Sequence, residues 1–350
     1  MQNFDPNAAA GEDSGIFGLP FSIEQAQLVL LPVPWEVTTS YGGGTSLGPR
    51  AILNASRQID LFDLELGNFY RHGIALMDES TEVQTWNQAA QQLAHPVIAA
   101  GGSGNDPQLL AAVEKVNDYS HKLNHYVYNT VKNLLAQGKQ VGVIGGDHST
   151  PFGAITAFLE KYPRMGMLHV DAHADLRKAY EGFTDSHASI MYNVITRTKL
   201  TKLVQVGLRD LCEEEFEFIK QQSSRITAFF DVDMSTQKMN GESWASICDQ
   251  IIKQLPEEVY ISFDIDGLDP RYCPHTGTPV PGGLDFAEAT YLIKKVAQSG
   301  RKIIGFDLNE VSPGSSTAAA LDTPDPAAEW DANVGARLLY KLCGWSLYRN

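Results

Sequence analysis

The sequence predicts an α/β fold, a mostly parallel β-sheet covered by helices. Three observations carry this. Beyond residue 25, short apolar runs alternate with segments of helical period, as expected where each strand is followed by a crossover helix. The residues with the most reactive chemistry fall directly after the apolar runs, and ligand sites in parallel sheets lie outside the carboxyl ends of the strands. With 350 residues, 43% hydrophobic and 20% charged, the chain can bury a large core as one big α/β domain or two smaller ones.

Residues 1–25 read as a polar N-terminal extension, and the opening "MQNFDPNAAAGEDSG" has no basic segment followed by an apolar one, so neither export nor membrane insertion is expected. The first strand is predicted at Leu28–Val33. The glycine-rich "SYGGGTSLGPR" after it lacks a following Lys and the GxGxxG spacing of a phosphate cradle, so it is expected to shape a pocket rim. No element is assigned over 85–106; "AAGGSGND" within it reads as a flexible loop. A helix is then predicted from Pro107 to about residue 136. Asp106 is its N-cap, and Leu109, Leu110, Val113, Val116, Leu123, Val127, Val131 and Leu134 form its apolar face. Further strands are expected at Val141–Ile144, Gly166–Val170, Leu203–Val206, Ile226–Phe230, Val259–Phe263 and Ile303–Leu308, and a C-terminal helix from about Pro326 to Leu342, with Leu338, Leu339 and Leu342 facing the sheet or an interface. No internal repeat or linker divides residues 26–350, which are expected to form one catalytic domain.

A formal net charge of −15 argues against nucleic acid or an anionic membrane as partner and favours a small neutral or cationic ligand. The four cysteines, Cys212, Cys248, Cys273 and Cys343, have no CxxC spacing, so neither disulfides nor a zinc–thiolate site is indicated and a reducing cytoplasm is the expected compartment.

Four of the apolar runs end in clusters that ask for a counter-charge. "VGVI" leads to "GGDHS" with His148, "MGMLHV" to "DAHAD" with Asp171, His173 and Asp175, "EVYISF" to "DIDGLDP" with Asp264 and Asp266, and "RKIIGF" to "DLNEVSP" with Glu310. Strand side chains alternate with period two, so Asp171, His173 and Asp175 share one side, as do Asp264 and Asp266. Carboxylates and imidazoles gathered in one crevice are costly without partners. Four Asp and two His can hold two divalent cations, with Mn²⁺ favoured by the oxygen-rich donor set and Ni²⁺, Co²⁺ or Fe²⁺ as alternatives. Among their neighbours, His169 is expected to pack beneath the site, Asp147 to orient, Asp269 to form a turn and Asp233 to open a loop or helix.

"GGDHS", "DAHAD" and "SFDIDGLDP" resemble the three signature motifs of the ureohydrolases, the arginase, agmatinase and formiminoglutamase family of binuclear manganese enzymes. "LGPRAI", "VGLRD", "GTPVPGGL" and "NEVSP" extend the resemblance across roughly residues 27–345. It implies a three-layer α/β/α sandwich. It also implies one metal held by His148, Asp171, Asp175 and Asp264, and a second by Asp171, His173, Asp264 and Asp266. The implied reaction is attack of metal-bound hydroxide on a guanidino carbon, releasing urea. Asp175 would accept a hydrogen bond from the nucleophile, Glu310 would bind the guanidinium, His187 would shuttle the proton, and Thr278 would join Glu310 and His187 in holding substrate. A trimer or hexamer is implied as well.

The substrate is narrowed by departures from the arginase pattern. The loop "AYEGFTDSHASIMYN" lacks the Asn/Ser-rich run that arginases use for the amino-acid head group, and Ala188 stands where Gly is usual. An agmatine-like or other small guanidino compound is therefore the expected substrate. Free guanidine or L-arginine are the alternatives within the family, with Trp35, Tyr41 and Met191 as residues that would narrow the pocket. Outside it, the rivals are a metal-binding protein without catalysis and a hydrolase on the related deacetylase fold.

Overall fold

The computed structural model describes residues 4–11, 13–314 and 329–348. Its centre is a sheet of eight strands: β1 (Leu28–Val33), β2 (Ile74–Leu76), β3 (Gln140–Gly145), β4 (Gly166–Val170), β5 (Lys202–Leu208), β6 (Ile226–Phe230), β7 (Glu258–Asp264) and β8 (Lys302–Asn309). Their order is β2-β1-β3-β8-β7-β4-β5-β6, and every neighbouring pair is parallel. Seven strands match the sequence reading to within two residues at each end. The edge strand β2 was not anticipated, because three residues are too short a run to carry a period.

Ten α-helices are described: α1 (Gly48–Ser56), α2 (Thr81–Ala99), α3 (Pro107–Ala136), α4 (Phe152–Lys161), α5 (Ile190–Arg197), α6 (Glu213–Gln221), α7 (Asp231–Met239), α8 (Trp244–Lys253), α9 (Phe286–Gln298) and α10 (Trp330–Leu347). Strand alternation splits the core in two. Leu28 and Leu30 of β1 pack on one face with α1 and α7–α10, whereas Val29, Leu31 and Val33 pack on the other with α2–α6. The result is a three-layer α/β/α sandwich. Asp233 falls in the first turn of α7. Much of the unassigned segment 85–106 is α2, whose Pro96 sits in the last turn. The expected start of the C-terminal helix at Pro326 lies outside the described residues.

Two further details bear on the outer parts. Ile16, Phe17 and Leu19, inside the stretch read as a polar extension, are buried in the core, and the Phe17 ring meets Tyr340 edge-on at 4.8 Å. At the head of α3, the Asp106 carboxylate accepts hydrogen bonds from the Gln108 and Leu109 N–H groups at 2.8 and 3.4 Å, satisfying two of the donors a helix start leaves open. Asp106→Ala is expected to destabilise the chain by about 1 kcal/mol, seen as an earlier midpoint in urea denaturation. An unchanged midpoint would mean that packing alone starts α3.

Candidate metal centre

The strand order brings together what the sequence keeps apart. β3, β8, β7 and β4 are consecutive neighbours, so His148, Glu310, the Asp264/Asp266 pair and the "DAHAD" segment meet over the carboxyl edge of the sheet. Glycine makes the close approach of β5 workable: at Gly207, with φ +100°, a Cβ would lie 2.9 Å from the Asp171 carbonyl oxygen.

His148 is buried with its Nδ1 aimed at three carboxylates, 3.1 Å from Asp171 Oδ2, 3.3 Å from Asp175 Oδ2 and 3.1 Å from Asp264 Oδ2. His173, less buried, lies with Nδ1 3.0 Å from Asp266 Oδ2 and 3.5 Å from Asp171 Oδ1. Backbone donors fix the carboxylates: Ala172 N–H donates to Asp266 Oδ1 at 3.0 Å, His173 N–H to Asp171 Oδ1 at 2.6 Å and Asp266 N–H to Asp264 Oδ1 at 2.9 Å. The potential ligand atoms of His148, His169, Asp171 and Asp175 lie within 4.8 Å of one another, as do those of Asp171, His173 and Asp266. His169 has both ring nitrogens engaged, Nε2 on Asp171 Oδ2 at 2.8 Å and Nδ1 on the Gln205 amide at 3.0 Å. That arrangement suits support of Asp171.

Asp175 and Glu310 stand in the left-handed backbone region, with φ of 54° and 62°. Such a conformation costs on the order of 1–3 kcal/mol at a non-glycine residue and concentrates at functional sites. The Asp175 carbonyl is held by the Met191 and Tyr192 N–H groups at 3.0 and 3.1 Å, and the Glu310 N–H by the Gly146 carbonyl at 2.8 Å. Glu310 Oε1 accepts the His148 N–H at 2.8 Å. Its Oε2 has room beside Gly277, where a Cβ would come within 3.6 Å of it. His187, on the loop before α5, hydrogen-bonds through Nδ1 with the Thr38 hydroxyl at 3.0 Å, and its own N–H donates to the same oxygen at 3.2 Å.

A cleft of about 150 Å³ opens onto this cluster. Its walls include His148, His173, Asp175, Asp264, Glu310, His187 and Thr278. Asp171 and Asp266 are buried behind them. Trp35 and Met191 do not narrow the cleft: both are buried in the core, and Tyr41 is exposed. The remaining lining comes from Ala188, noted above for standing where Gly is usual, and from Ser40, Tyr180, Leu211, Arg177, Asp210 and Glu215, which the sequence reading missed. Asp210 ends "VGLRD" just past a strand and carried a usable signal; Glu215 sits in the first turn of α6, and the others lie in connections whose path no local pattern gives. The glycine-rich loop is organised from within, because Gly44 and Ser46 N–H groups donate to the buried Glu36 carboxylate at 2.9 and 3.0 Å. Asp147 accepts the Val37 N–H at 3.1 Å and ties that segment to the end of β3.

Burial pushes the Asp175, Asp264 and Glu310 carboxyls well above the usual range, and neighbouring carboxylates add to it. Asp171 is held well below, since the charges and hydrogen bonds of His169 and His148 outweigh its burial. Burial acts against the charge on His173, yet Asp266 and Asp171 push it up to about 12. Burial and the nearby His173 and His148 pull His187 down to about 4. The donor set, carboxylate oxygens with two imidazoles facing a shared space, fits hard or borderline divalent cations and lacks the thiolates of a structural zinc site.

The arginase family model matches residues 26–343. The N(1)-aminopropylagmatine ureohydrolase of Thermus thermophilus is 32% identical over 298 residues, 85% of this chain and 87% of that protein. The agmatinase of Halalkalibacterium halodurans is 28% identical over 290 residues, 83% of this chain and 85% of its own length. The crystal structure of the agmatine ureohydrolase of Thermoplasma volcanium superposes with a TM-score of 0.69 at 24% identity, covering 93% of this chain and 92% of that one, and shares the fold.

Cation binding must displace the protons held by His148, His173, Asp175 and Asp264, so affinity is expected to rise with pH. Calorimetry of Mn²⁺ binding at pH 7.5 in two buffers of different ionisation enthalpy should show net proton release. A heat independent of buffer would contradict this electrostatic picture.

Proposed function

The chain belongs to the arginase family, and from that premise we propose that it is a binuclear-metal ureohydrolase that cleaves the C–N bond of a small guanidino substrate and releases urea. The observation that carries the reading is the meeting, at one cleft, of two imidazoles, the Asp cluster, a buried carboxylate with one free oxygen and a half-buried histidine. His148, Asp171, Asp175 and Asp264 would hold one cation, and Asp171, His173, Asp264 and Asp266 the other. The oxygen-rich set favours Mn²⁺, with Ni²⁺ as the alternative. When bound, two such cations make water acidic enough to furnish a nucleophile near neutral pH.

The chain's own residues supply the rest. Glu310, pinned through Oε1, presents Oε2 to a guanidinium, whose planar N–H groups match a carboxylate in charge and geometry, and Thr278 borders the same part of the cleft. Asp175 accepts a hydrogen bond from the attacking oxygen and is held in place by its backbone ties to α5. With Nδ1 accepting from the Thr38 hydroxyl, His187 keeps its proton on Nε2. As the tetrahedral carbon collapses, the departing amine nitrogen needs a proton. His187, neutral at rest, would first take up a proton in the cleft and deliver it from the resulting imidazolium, whose depressed pKa makes it a ready donor; delivery returns the ring to its neutral form.

The outer lining favours a substrate with a cationic tail. Arg177 lies 3.8 Å from Glu215 and its guanidinium centre 5.0 Å over the Tyr180 ring, so its charge is engaged within the wall. Asp210 is two-thirds exposed at the mouth, 3.9 Å from His173 Nε2, and its outward face would meet an amine tail favourably and repel a carboxylate tail. With Trp35 and Met191 in the core, neither side chain narrows the cleft to the size of free guanidine. An agmatine-like compound is the substrate class this lining supports. The same reading takes the enzyme as a cytoplasmic homo-oligomer, trimer or hexamer, in keeping with the family resemblance and with four cysteines present as thiols.

The test is urea release by protein reconstituted separately with Mn²⁺ and Ni²⁺, offered agmatine, L-arginine, guanidinobutyrate, guanidinopropionate and free guanidine. Turnover of the amine-tailed compound is expected to lead. Asp264→Ala should abolish it, His187→Ala should lower it by about 10²–10⁴, and Glu310→Gln by at least about tenfold, from loss of a charge-assisted bond. Full activity in Asp264→Ala would sink the assignment, and a preference for guanidinobutyrate would overturn the tail argument.

A further inference from the structure

One register position beneath the proposed ligands, a polar row crosses the middle of the sheet. Gln205 of β5 pairs with His169 of β4, His169 with Ser262 of β7, and Ser262 with Asp307 of β8. All four are fully buried. Such a row within an otherwise apolar core is expensive unless each member is satisfied, and half of it serves His148.

His148 Nε2 lies 2.9 Å from Ser262 Oγ, and Ser262 Oγ donates to Asp307 Oδ1 at 2.8 Å. Asn309 also donates to Asp307 Oδ1 at 2.5 Å, and its own side-chain oxygen accepts the Thr150 hydroxyl at 2.9 Å. A serine hydroxyl has one proton. Spent on Asp307, it leaves Ser262 only lone pairs to offer His148, so His148 must carry its proton on Nε2. Its Nδ1, which donates toward Asp171, Asp175 and Asp264 here, is then the nitrogen that becomes available to a cation once that proton leaves. Tyr260 shares this side of β7, and burial beside Asp307 pushes its phenol well above the usual range, so it brings no competing charge.

We propose that Ser262 and Asp307 are positioning residues that fix the tautomer and ring orientation of His148 and thereby set the affinity of the first metal position. The proposal rests on the metal-centre reading above. Neither residue touches the cleft, so its effect is read in metal binding. The pair does for His148 what Gln205 does for His169, one hydrogen bond deeper.

The experiment is Mn²⁺ titration of the full-length protein against a fluorescent chelator, with the fold followed by circular dichroism. Ser262→Ala is expected to weaken one of two Mn²⁺ equivalents by about 10–100-fold, the range typical of lost outer contacts to a ligand histidine, and to leave the other near wild type. Asp307→Leu should do the same, and Ser262→Thr, which keeps the hydroxyl, should restore tight binding. Two equivalents at wild-type affinity in folded Ser262→Ala would overturn the relay while leaving the metal centre intact. Equal weakening of both equivalents would also overturn it, as would weakening that Ser262→Thr does not reverse. No binding by the wild type would overturn the relay and the metal centre together. Should Asp307→Leu not fold, the Ser262 pair decides the matter alone.

Discussion

Everything about this chain's centre follows from placing Asp171, Asp175, Asp264, Asp266 and Glu310 out of water at one edge of a sheet. Each is 6% exposed or less. Like charges at this depth repel strongly and lose their hydration, so the cluster persists only with compensation. Backbone N–H groups supply part of it and the imidazoles of His148, His169 and His173 another part. Protons on His148, His173, Asp175 and Asp264 supply a further part, and two divalent cations at these positions would supply it more effectively.

The sheet is built to hold that cluster rigidly. An all-parallel order with β8 and β7 inserted between β3 and β4 puts four strand ends side by side, although the segments they carry are spread from His148 to Glu310. Apolar layers on both faces bury the strands and hold the four ends side by side. Two of the four left-handed non-glycine residues among those described, Asp175 and Glu310, mark where the backbone gives up local comfort to aim a carboxylate into the cleft, and the surrounding hydrogen bonds hold them there. Function and architecture meet at one edge: the helices stabilise the sheet, and the sheet stabilises an arrangement of charge that would not assemble in solution.

Much of this was legible in the sequence because it is periodic. Strand interiors show as apolar runs, the long helix after Asp106 as a 3.6-residue stripe, and the clustered carboxylates and imidazoles as polar residues at alternate positions at or just past strand ends. The family motifs added which carboxylates belong together. What stayed hidden was set by long-range geometry. Tyr180, Leu211 and Glu215 reach the cleft through loops and a helix start whose direction no local pattern encodes. Trp35 and Met191 looked like pocket residues by sequence position and are core residues by packing. Ser262 and Asp307 were visible only as polar letters inside buried strands, a signal that gains meaning once the register sets them side by side. The strand order itself, which creates the site, could not be read from any segment alone.

The central claim is that this cluster is a two-cation site. Its most direct test is anomalous diffraction at the manganese edge from crystals of the intact chain grown with Mn²⁺. The account predicts two peaks, one bounded by His148, Asp171, Asp175 and Asp264, the other by Asp171, His173, Asp264 and Asp266, with Asp171 and Asp264 between them. A single peak, or peaks elsewhere with these carboxylates still bonded directly to the histidines, would contradict it.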